Sequence, residues 1–257
     1  MNIDRKNDRD YEWYRYFLKD TVRQKIDFSR TGQFRGEPPP PLQKPCSSNI
    51  KRISMPDGAE SLSRYGNMSV SEAVYRRESI RNYSTAPFTL DQLSALLWAT
   101  QGVRKLINGS CALRTVPSAG ARHAFETYVA VSRVEGLTAG LYRYLPFEGV
   151  LAQQFTDERV GYRAAYACLK QNFVADAAAV FFWTVIPARM EWRYDLAAHK
   201  VIAIDIGHVC QNLYLVSTSF DAGICAIAAY NQEECDKLLG VDGKEEFTLY
   251  IAAVGRC

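Results

Sequence analysis

The sequence is poor in the residues that build metal centres. It contains three histidines, His123, His199 and His208, and they do not cluster. Its seven cysteines, at positions 46, 111, 168, 210, 225, 235 and 257, are scattered and include no CxxC pair. An odd number of cysteines cannot all form disulfides, and no metal-ligand spacing is present. The sequence therefore predicts buried reduced thiols and no protein-bound metal ion.

Long apolar runs and a strong charge of one sign are also missing. No window of about 18 uncharged apolar residues occurs, which argues against a membrane-spanning helix. The net charge of +3 comes from 31 basic and 28 acidic residues spread along the chain, which disfavours nucleic acid and membrane surfaces as partners. The stretch MNIDRKNDRDYEWYRYF (1–17) is charged and lacks the apolar region of a signal peptide. We therefore expect a cytoplasmic protein.

Composition divides the chain into an extension and a body. The extension, residues 1–67, is charged and then proline-rich, with the polyproline-type stretch GEPPPPLQKP at 36–45. It is expected to pack on the surface of the body or on a partner. With 257 residues, 47% of them hydrophobic, the chain is long enough for one full core. We place that core in the body, residues 68–257.

Hydrophobic patterning predicts an α+β body. The segment TLDQLSALLWATQG (89–102) predicts a helix capped at Thr89, and a second, long and buried helix is predicted over about 201–221. Strands are predicted where β-branched and aromatic residues concentrate, at about 125–133, 140–145, 179–186 and 246–254. The regular strand–helix alternation and the GxGxxG motif of a Rossmann domain are absent. Helices packed on a mainly antiparallel sheet are therefore expected.

Two segments have the composition of a site for a flat, phosphorylated ligand. In YRRESIRNYS (75–84), Arg77 and Arg81 offer guanidinium groups to a phosphate, and Ser79 adds a hydroxyl donor. The alternative is a solvated basic helix end. In PSAGA (117–121), small residues let the backbone approach a flat ligand closely. The alternative is a plain loop that enters the following strand.

A third segment, ARMEWRYD (188–195), is expected to be a surface loop that follows a core strand. Tyr194 is a candidate proton donor or acceptor, and Arg193 a candidate stabiliser of negative charge. The alternative is an aromatic loop packed against a neighbour. Near the end of the chain, DAGICAIAAYNQ (221–232) is rich in small residues, and Arg256 is either a phosphate ligand or part of a solvated tail.

Taken in order, the segments RRESIR, PSAGARHAFETYV, RMEWRYD, IDIGHVCQNLYL, DAGICAIAAY and LYIAAVG make residues 68–257 similar to the nitroreductase family of flavoproteins. Within that family the chain looks most like the SagB-type dehydrogenase branch, the McbC-like oxidoreductases, whose members oxidise azolines to azoles in peptides. The proline-rich lead-in also resembles that branch. The resemblance implies a nitroreductase-like α+β fold and an intertwined homodimer that holds FMN non-covalently between its subunits.

The resemblance also implies which residues contact FMN. The family's Arg-x-Ser-x-basic motif, which contacts the phosphate, the ribityl chain and the pyrimidine edge, matches Arg77, Ser79 and Arg81, with the variable polar Glu78 between them. Terminal basic residues that hold the phosphate are represented by Arg256.

The flavin ring is expected to lie on two small-residue segments. The family's Pro-Ser loop, which reaches the flavin from the partner subunit, matches Pro117, Ser118, Ala119, Gly120 and Ala121. Ala121 stands where many nitroreductases have Asn, so the backbone or Arg114 would have to substitute. The segment near the reactive ring nitrogen matches Ala226, Ile227, Ala228 and Ala229. Asp221-Ala222-Gly223 replaces the usual Gly-Leu-Gly before it.

For catalysis, the branch carries a motif resembling RxxWKYG, which reads Arg189, Trp192, Arg193, Tyr194 and Asp195 here. The tyrosine is kept, whereas lysine is replaced by Arg193, which does not lose its proton. Three functions therefore stay open. The first is an FMN-dependent dehydrogenase acting on an azoline or related heterocycle in a peptide. The second is a nitro- or quinone reductase with NAD(P)H as electron donor and a small-molecule substrate. The third is a flavin-binding protein without turnover.

Overall fold

The computed structural model describes residues 11–257, so the first ten residues of the predicted extension lie outside the described part. The α-helices in that part are α1 (Tyr11–Leu18), α2 (Gly58–Tyr65), α3 (Val70–Arg76), α4 (Leu90–Gln101), α5 (Val160–Ala167), α6 (Asn172–Ala175), α7 (Ala188–Tyr194), α8 (Ala198–Thr218) and α9 (Gln232–Leu239). The strands are β1 (Arg52–Ser54), β2 (Val103–Asn108), β3 (Cys111–Arg114), β4 (Phe125–Val131), β5 (Gly140–Leu145), β6 (Val150–Thr156), β7 (Ala179–Val185), β8 (Ala222–Ile227) and β9 (Phe247–Arg256).

A seven-stranded sheet organises the fold, with the strand order β1-β6-β5-β4-β7-β9-β8. Every neighbouring pair in it is antiparallel. Strands β2 and β3 form a separate antiparallel hairpin. The predicted α+β fold with a mainly antiparallel sheet flanked by helices is confirmed, and so are the four predicted strands.

The sheet separates two apolar cores. Phe181 and Trp183 of β7 pack on the side of α4 and α8, whereas Val180 and Phe182 pack on the side of α5 and α9. Successive side chains of a strand point to opposite faces, so one buried strand supplies both cores. The molecule therefore has three layers, with helices on both faces of the sheet.

The predicted helix over 89–102 is confirmed as α4. Thr89 accepts a hydrogen bond from the backbone N–H of Gln92, whose side chain accepts one from the backbone N–H of Thr89, a reciprocal capping box. At the other end, Gly102 donates its N–H to the Trp98 carbonyl.

The predicted long helix is also confirmed, as α8, which begins at Ala198 rather than near residue 201. One side of α8 packs into the core through residues such as Ile202, Val209 and Leu213. The opposite side is exposed, including Ala203, Ile204, Gly207, His208 and Gln211. In the single chain this helix is thus buried along one face. None of the helices in residues 11–257 is long and apolar enough to cross a membrane.

The structure adds strands and helices that the sequence did not reveal. Strands β1, β6 and β8 and the β2–β3 hairpin were not predicted. The prediction of a surface loop at 188–195 is wrong, since Ala188–Tyr194 form α7. Pro187 has a helical φ of −56°, and Arg189 and Met190 are buried beneath the helix. Burial against the core, together with an N-terminal proline that suits a helix start, accounts for the helical conformation.

Part of the proline-rich extension is bound tightly to the body. We call residues 31–46 the arm. Three body arginines donate hydrogen bonds to its backbone carbonyls, Arg122 to Pro40 at 3.0 Å, Arg114 to Leu42 at 2.9 Å and Arg143 to Pro45 at 3.0 Å. A polyproline-like segment has no internal hydrogen bonds, so its carbonyls are available to such donors. The expectation that the extension packs on the body is met for the arm.

Candidate functional site

The first group of site residues lies along the sheet edge formed by β8. Helix α3 ends before Arg77, and the chain then runs beside β8, with the Ile80 N–H donating to the Ile224 carbonyl at 2.9 Å. Further along, Ser84 donates to the Arg256 carbonyl at 2.8 Å. This path brings the predicted Arg77–Arg81 motif next to the predicted small-residue segment that contains Ala226.

Tyr214 of α8 joins these two segments. Its hydroxyl oxygen accepts a hydrogen bond from the Ala226 N–H at 3.0 Å and lies 2.9 Å from Ser79 Oγ. The guanidinium of Arg77 lies 5.4 Å from the centre of its ring. Tyr214 is a site residue that sequence reasoning missed, and its only signal was a polar hydroxyl on an otherwise apolar helix face.

The charge at this edge is not neutralised within the described chain. Among residues 11–257, neither Arg77 nor Arg81 has a carboxylate within 4.0 Å, whereas the neighbouring Arg76 reaches Glu72 at 3.3 Å. Arg81 lies 5.8 Å from the ring centre of Phe173. Two guanidinium groups without a carboxylate partner, beside a serine hydroxyl, are a donor set that fits a phosphate. We call Arg77, Ser79, Arg81, Tyr214 and Ala226 the basic edge.

A second group forms where the predicted Pro-Ser loop meets the end of α7. Gly120 has a φ of +61°, and a Cβ added there would lie 2.7 Å from Tyr194 Oη and 2.9 Å from Arg193 Cδ. The loop therefore packs directly against the predicted catalytic residues Arg193 and Tyr194, and the contact requires glycine at position 120. The Arg193 guanidinium carbon is 5.5 Å from the centre of the Tyr194 ring. We call residues 117–121, Arg193, Tyr194 and Asp205 the loop corner.

Asp205 of α8 anchors the loop. Its Oδ2 accepts a hydrogen bond from the Ala119 N–H at 3.1 Å, and its carboxylate also bonds the Ser118 side chain. Burial raises the pKa of Asp205, while these hydrogen bonds oppose the rise. The sequence signal for this residue was an acidic side chain within the apolar stretch VIAIDIGHV, and it was missed.

His123 follows the Pro-Ser loop and stabilises it through a backbone hydrogen bond. Its backbone N–H donates to Ser118 Oγ at 3.0 Å, and its Nε2 lies 2.9 Å from the Ala112 carbonyl oxygen, which can only accept. Burial, and then the nearby charge of Arg114, lowers the pKa of His123 to about 3. The imidazole is therefore neutral and structural.

The side chain of Arg114 is used in contacts within the protein interior. Its side chain is buried and donates to Gln101 Oε1 at 2.6 Å and to the Leu42 carbonyl at 2.9 Å. Its guanidinium also lies 5.6 Å from the ring centre of Phe147. Burial lowers the pKa of Arg114 to about 10, so the group stays charged at neutral pH. Its hydrogen bonds thus go to the arm and to α4.

Two cavities adjoin the loop corner. One, of about 580 Å³, is lined by Arg114, Pro117, Ser118 and Ala121 together with residues of α8. The other, of about 770 Å³, lies between α1 and α8 and is lined by Tyr194. Both have the size of small-ligand pockets, which is about 300–1,000 Å³.

The candidate site thus consists of two groups of residues, and each group contains one residue of α8. Asp205 and Tyr214 are nine positions apart, which is about 13 Å along α8. Four further predicted residues contribute little to either group. Glu78, Ala228 and Ala229 are exposed, and Ile227 is buried, paired with Ile251 in the sheet. Arg256 donates to the Phe220 carbonyl at 3.1 Å, at the far end of β9.

Comparison with known proteins agrees with this architecture. The nitroreductase family model matches residues 74–256. A protein of Methanocaldococcus jannaschii named as a nitroreductase is 33% identical over 204 residues, which cover 79% of this chain and 96% of that protein. The trifolitoxin-processing protein TfxF of Rhizobium leguminosarum bv. trifolii is 31% identical over 148 residues, 55% of this chain and 49% of that protein.

A solved structure extends the likeness to the arm. One chain of the Escherichia coli microcin synthetase McbBCD complex, solved with truncated pro-MccB17 bound, aligns with a TM-score of 0.60 at 16% identity. The alignment covers 97% of this chain and 94% of that one, and at this identity it shows a shared fold. The family model spans more than half of the sequence, with both site groups inside the match. The chain therefore belongs to the nitroreductase family, whose members are oxidoreductases.

Proposed function

We propose that the chain is an FMN-dependent oxidoreductase of the SagB-type dehydrogenase branch, which oxidises an azoline or a related heterocycle in a peptide. The observation that carries the proposal is the basic edge, because Arg77 and Arg81 flank Ser79 with no carboxylate within 4.0 Å of either guanidinium in residues 11–257. A dianionic phosphate is the group that such an arrangement fits. FMN, when bound, accepts a hydride equivalent from the substrate.

The residues of the basic edge have a binding role in this proposal. Arg77 and Arg81 hold the phosphate and the pyrimidine side, and Ser79 offers its hydroxyl to the ribityl chain. Because the Tyr214 hydroxyl already bonds both Ser79 and the Ala226 N–H, it keeps these two donors oriented. Positive charge near the pyrimidine edge stabilises negative charge that develops there.

Tyr194 and Arg193 have the reacting role. Tyr194 assists the removal of a proton from the substrate carbon or nitrogen while a hydride leaves the substrate, with the phenolate form of its side chain as the proton acceptor. Arg193 keeps its proton at any physiological pH, so it acts by stabilising negative charge rather than as a base. Gly120 keeps the loop backbone close to both side chains, since any Cβ at that position would collide with them.

We further propose a homodimer in which the loop corner of one subunit completes the basic edge of the other. The exposed face of α8, with Ile204, Gly207 and Gln211, runs between the two groups and is open for a second copy. Within one chain the two groups are about 13 Å apart along this helix. A ligand shared between subunits would use both.

The branch assignment is supported by two comparisons. TfxF is named as a processing protein of the peptide trifolitoxin, and the McbBCD structure contains a truncated peptide precursor. The likeness to the McbBCD chain also covers the arm. An FMN site and a peptide substrate would suit such a role.

Flavin retention tests the proposal. Purified protein is expected to be yellow, or to become so with added FMN. The double change Arg77→Ala with Arg81→Ala should lower FMN retention strongly. Arg133→Ala is the matched control, because Arg133 bonds the Ser84 and Asp176 carbonyls rather than lying at the basic edge. A colourless protein that takes up no FMN, or equal losses in the two variants, would refute the FMN site.

A second candidate is an NAD(P)H-dependent nitro- or quinone reductase. It is favoured by the Methanocaldococcus relative, which is matched over 96% of its length and named as a nitroreductase. It is also favoured by Arg193, because the lysine of the azoline-oxidising motif can lose its proton when desolvated, whereas arginine cannot. Anaerobic mixing with NADPH separates the two functions. Rapid bleaching of bound flavin without any peptide indicates the reductase, and bleaching only by a thiazoline-containing peptide indicates the dehydrogenase.

A further inference from the structure

We propose that Arg122 and Trp192 are positioning residues, through which the arm holds helix α7 and the Pro-Ser loop in the register that puts Tyr194 beside Gly120. The inference rests on the proposed function in taking Tyr194 as a reacting residue. Within residues 11–257, no hydrogen bond joins the arm to Tyr194 or to the basic edge. Its action is therefore indirect.

Arg122 is the point at which the loop, α7 and the arm meet. The side chain is fully buried, and Nε donates to the Arg189 carbonyl of α7 at 2.9 Å. One Nη donates to the Pro40 carbonyl of the arm at 3.0 Å, and the other donates to the Ser110 carbonyl of the β2–β3 turn. One guanidinium thus connects three segments that are far apart in sequence.

Trp192 is the matching contact on α7. Its ring lies under the Arg122 guanidinium, 4.9 Å from ring centre to Cζ. Its indole N–H donates to the Glu37 carbonyl at 3.0 Å, and its own carbonyl accepts from the Gln33 N–H at 2.9 Å. Gly32 packs on the same ring, where a Cβ would lie 2.6 Å from Trp192 Cδ1. The last turn of α7 is therefore fixed by the arm on one side and by Arg122 on the other.

A second set of contacts ties the first turn of α7 to the arm. Arg189 donates to Glu126 Oε1 at 2.5 Å, and the Lys44 N–H donates to the same oxygen at 2.7 Å. All three groups lie where the arm crosses β4. Helix α7 has only seven residues, too few to be stable through its own hydrogen bonds. Its orientation is consequently set by these outside contacts.

The charge of Arg122 indicates that its contacts with α7 and the arm have a positioning role and do not serve only to pack the interior. In residues 11–257 no carboxylate lies within 4.0 Å of its guanidinium, and burial lowers its pKa. A buried cation without a counter-ion is costly, and an apolar side chain would be expected to fill the same volume at lower cost. Unlike an apolar side chain, the guanidinium donates directional hydrogen bonds to α7 and to the arm at the same time. It also makes a cation–π contact with the ring of Trp192. Those bonds fix the distance between the loop that bears Gly120 and the helix that bears Tyr194.

The test compares Trp192→Phe with Trp192→Leu in the full chain. Phenylalanine keeps a ring under Arg122 but loses the bond to Glu37, and leucine loses both. Amide hydrogen exchange followed by mass spectrometry is expected to show faster exchange in residues 117–123 and 188–194, more for leucine than for phenylalanine. Strands β4 and β7 should keep wild-type protection. Unchanged exchange in the two segments, or an equal rise throughout the sheet, would overturn the proposal.

A double-mutant comparison adds a readout that a purely structural role would not move. With whichever substrate the wild type turns over, Trp192→Leu should lower kcat by about 10- to 100-fold, the size expected for a small misplacement, with KM nearly unchanged. In a Tyr194→Phe background the same change should have almost no further effect. An equal loss in both backgrounds would mean that Trp192 does not act through Tyr194.

Gln43→Ala provides the control on the arm. Gln43 bonds Glu148 and the Phe147 N–H in the β5–β6 turn and does not touch α7. It should leave exchange in residues 117–123 and 188–194 unchanged. Hydrogen exchange is measured on the protein as purified and again after adding FMN, so it decides the positioning role even if no FMN binds and no turnover is found. Failure of the proposed function is thereby distinguishable from failure of this inference.

Discussion

Gly120 and Tyr194 are in such close contact that a single methyl group at Gly120 would lie 2.7 Å from the Tyr194 hydroxyl oxygen. The contact brings together a loop that was predicted from its small residues and a side chain that was predicted from its proton chemistry. It shows that both belong to one corner of the molecule, and it gives a physical reason for the glycine. The same contact supplies the first prediction.

Gly120→Ala should reduce turnover strongly while leaving the protein folded. The new methyl would force Tyr194 or Arg193 away from the loop, and it would also place an L-residue at a φ of +61°. Gly136→Ala is the matched control, because Gly136 has a φ of +79° with nothing within 4 Å of its added Cβ. Both variants should lose about 1 kcal/mol of stability in urea unfolding. Only Gly120→Ala should lose activity, and equal activity in the two variants would contradict the contact's role.

Tyr214→Phe should weaken FMN binding and leave the sheet intact. Removing the hydroxyl leaves the Ala226 N–H without its acceptor and frees Ser79, at a cost of about 1–3 kcal/mol. Fluorescence titration with FMN should therefore show an affinity lower by roughly one to two decades. Tyr142→Phe is a control, because the Tyr142 hydroxyl bonds the Thr138 carbonyl, away from both site groups. An unchanged FMN affinity in Tyr214→Phe would show that the Tyr214 hydroxyl has no role in FMN binding.

The sequence was sufficient to predict a helix or strand where its conformation is determined by local interactions or by residue type. Helix α4 could be predicted because its capping box and its ending glycine lie within the segment itself. Strands β4 and β7 are buried along their whole length, so their composition identified them. By contrast, four of the six residues of β8 are alanine, glycine or cysteine, and the strand owes its conformation to pairing with β9, which no local pattern indicates.

The same division holds for the candidate site. Arg77 and Ser79 were predicted because an arginine and a serine two positions apart suit a phosphate, and their binding role stays a prediction. Tyr214 and Asp205 were missed because their roles come from contacts across 135 and 86 residues of sequence. The helix α7 was mistaken for a loop, since its stability comes from the arm and from buried Arg189 rather than from its own seven residues. Long-range contacts of this kind cannot be read from a single segment.

Replacement of His123 should flatten the acid side of the stability curve. The native pKa of His123 is about 3, and the unfolded value is about 6.5. Between these pH values the unfolded chain binds a proton that the native protein does not, so the free energy of unfolding falls as the pH falls. The slope from this group is at most about 1.4 kcal/mol per pH unit, and it vanishes above the unfolded pKa. In urea unfolding at a series of pH values, His123→Gln should lose this part of the slope, and an identical slope would show that the histidine is protonated in the native protein.

Glu126→Gln should be among the most destabilising single changes in the chain. The Glu126 carboxylate accepts from Arg189 at 2.5 Å and from the Lys44 N–H, and Arg143 lies 4.0 Å away. Glutamine keeps the size but leaves two buried guanidinium groups without their anion, at a cost of about 3–5 kcal/mol. Glu148→Gln is the surface control, because the Glu148–Arg52 pair is partly exposed and should contribute less than about 1 kcal/mol. Urea unfolding measures both. A loss in Glu126→Gln no larger than in Glu148→Gln would mean that carbonyl groups alone, that of His123 for Arg189 and that of Pro45 for Arg143, are sufficient to stabilise the two buried guanidinium groups.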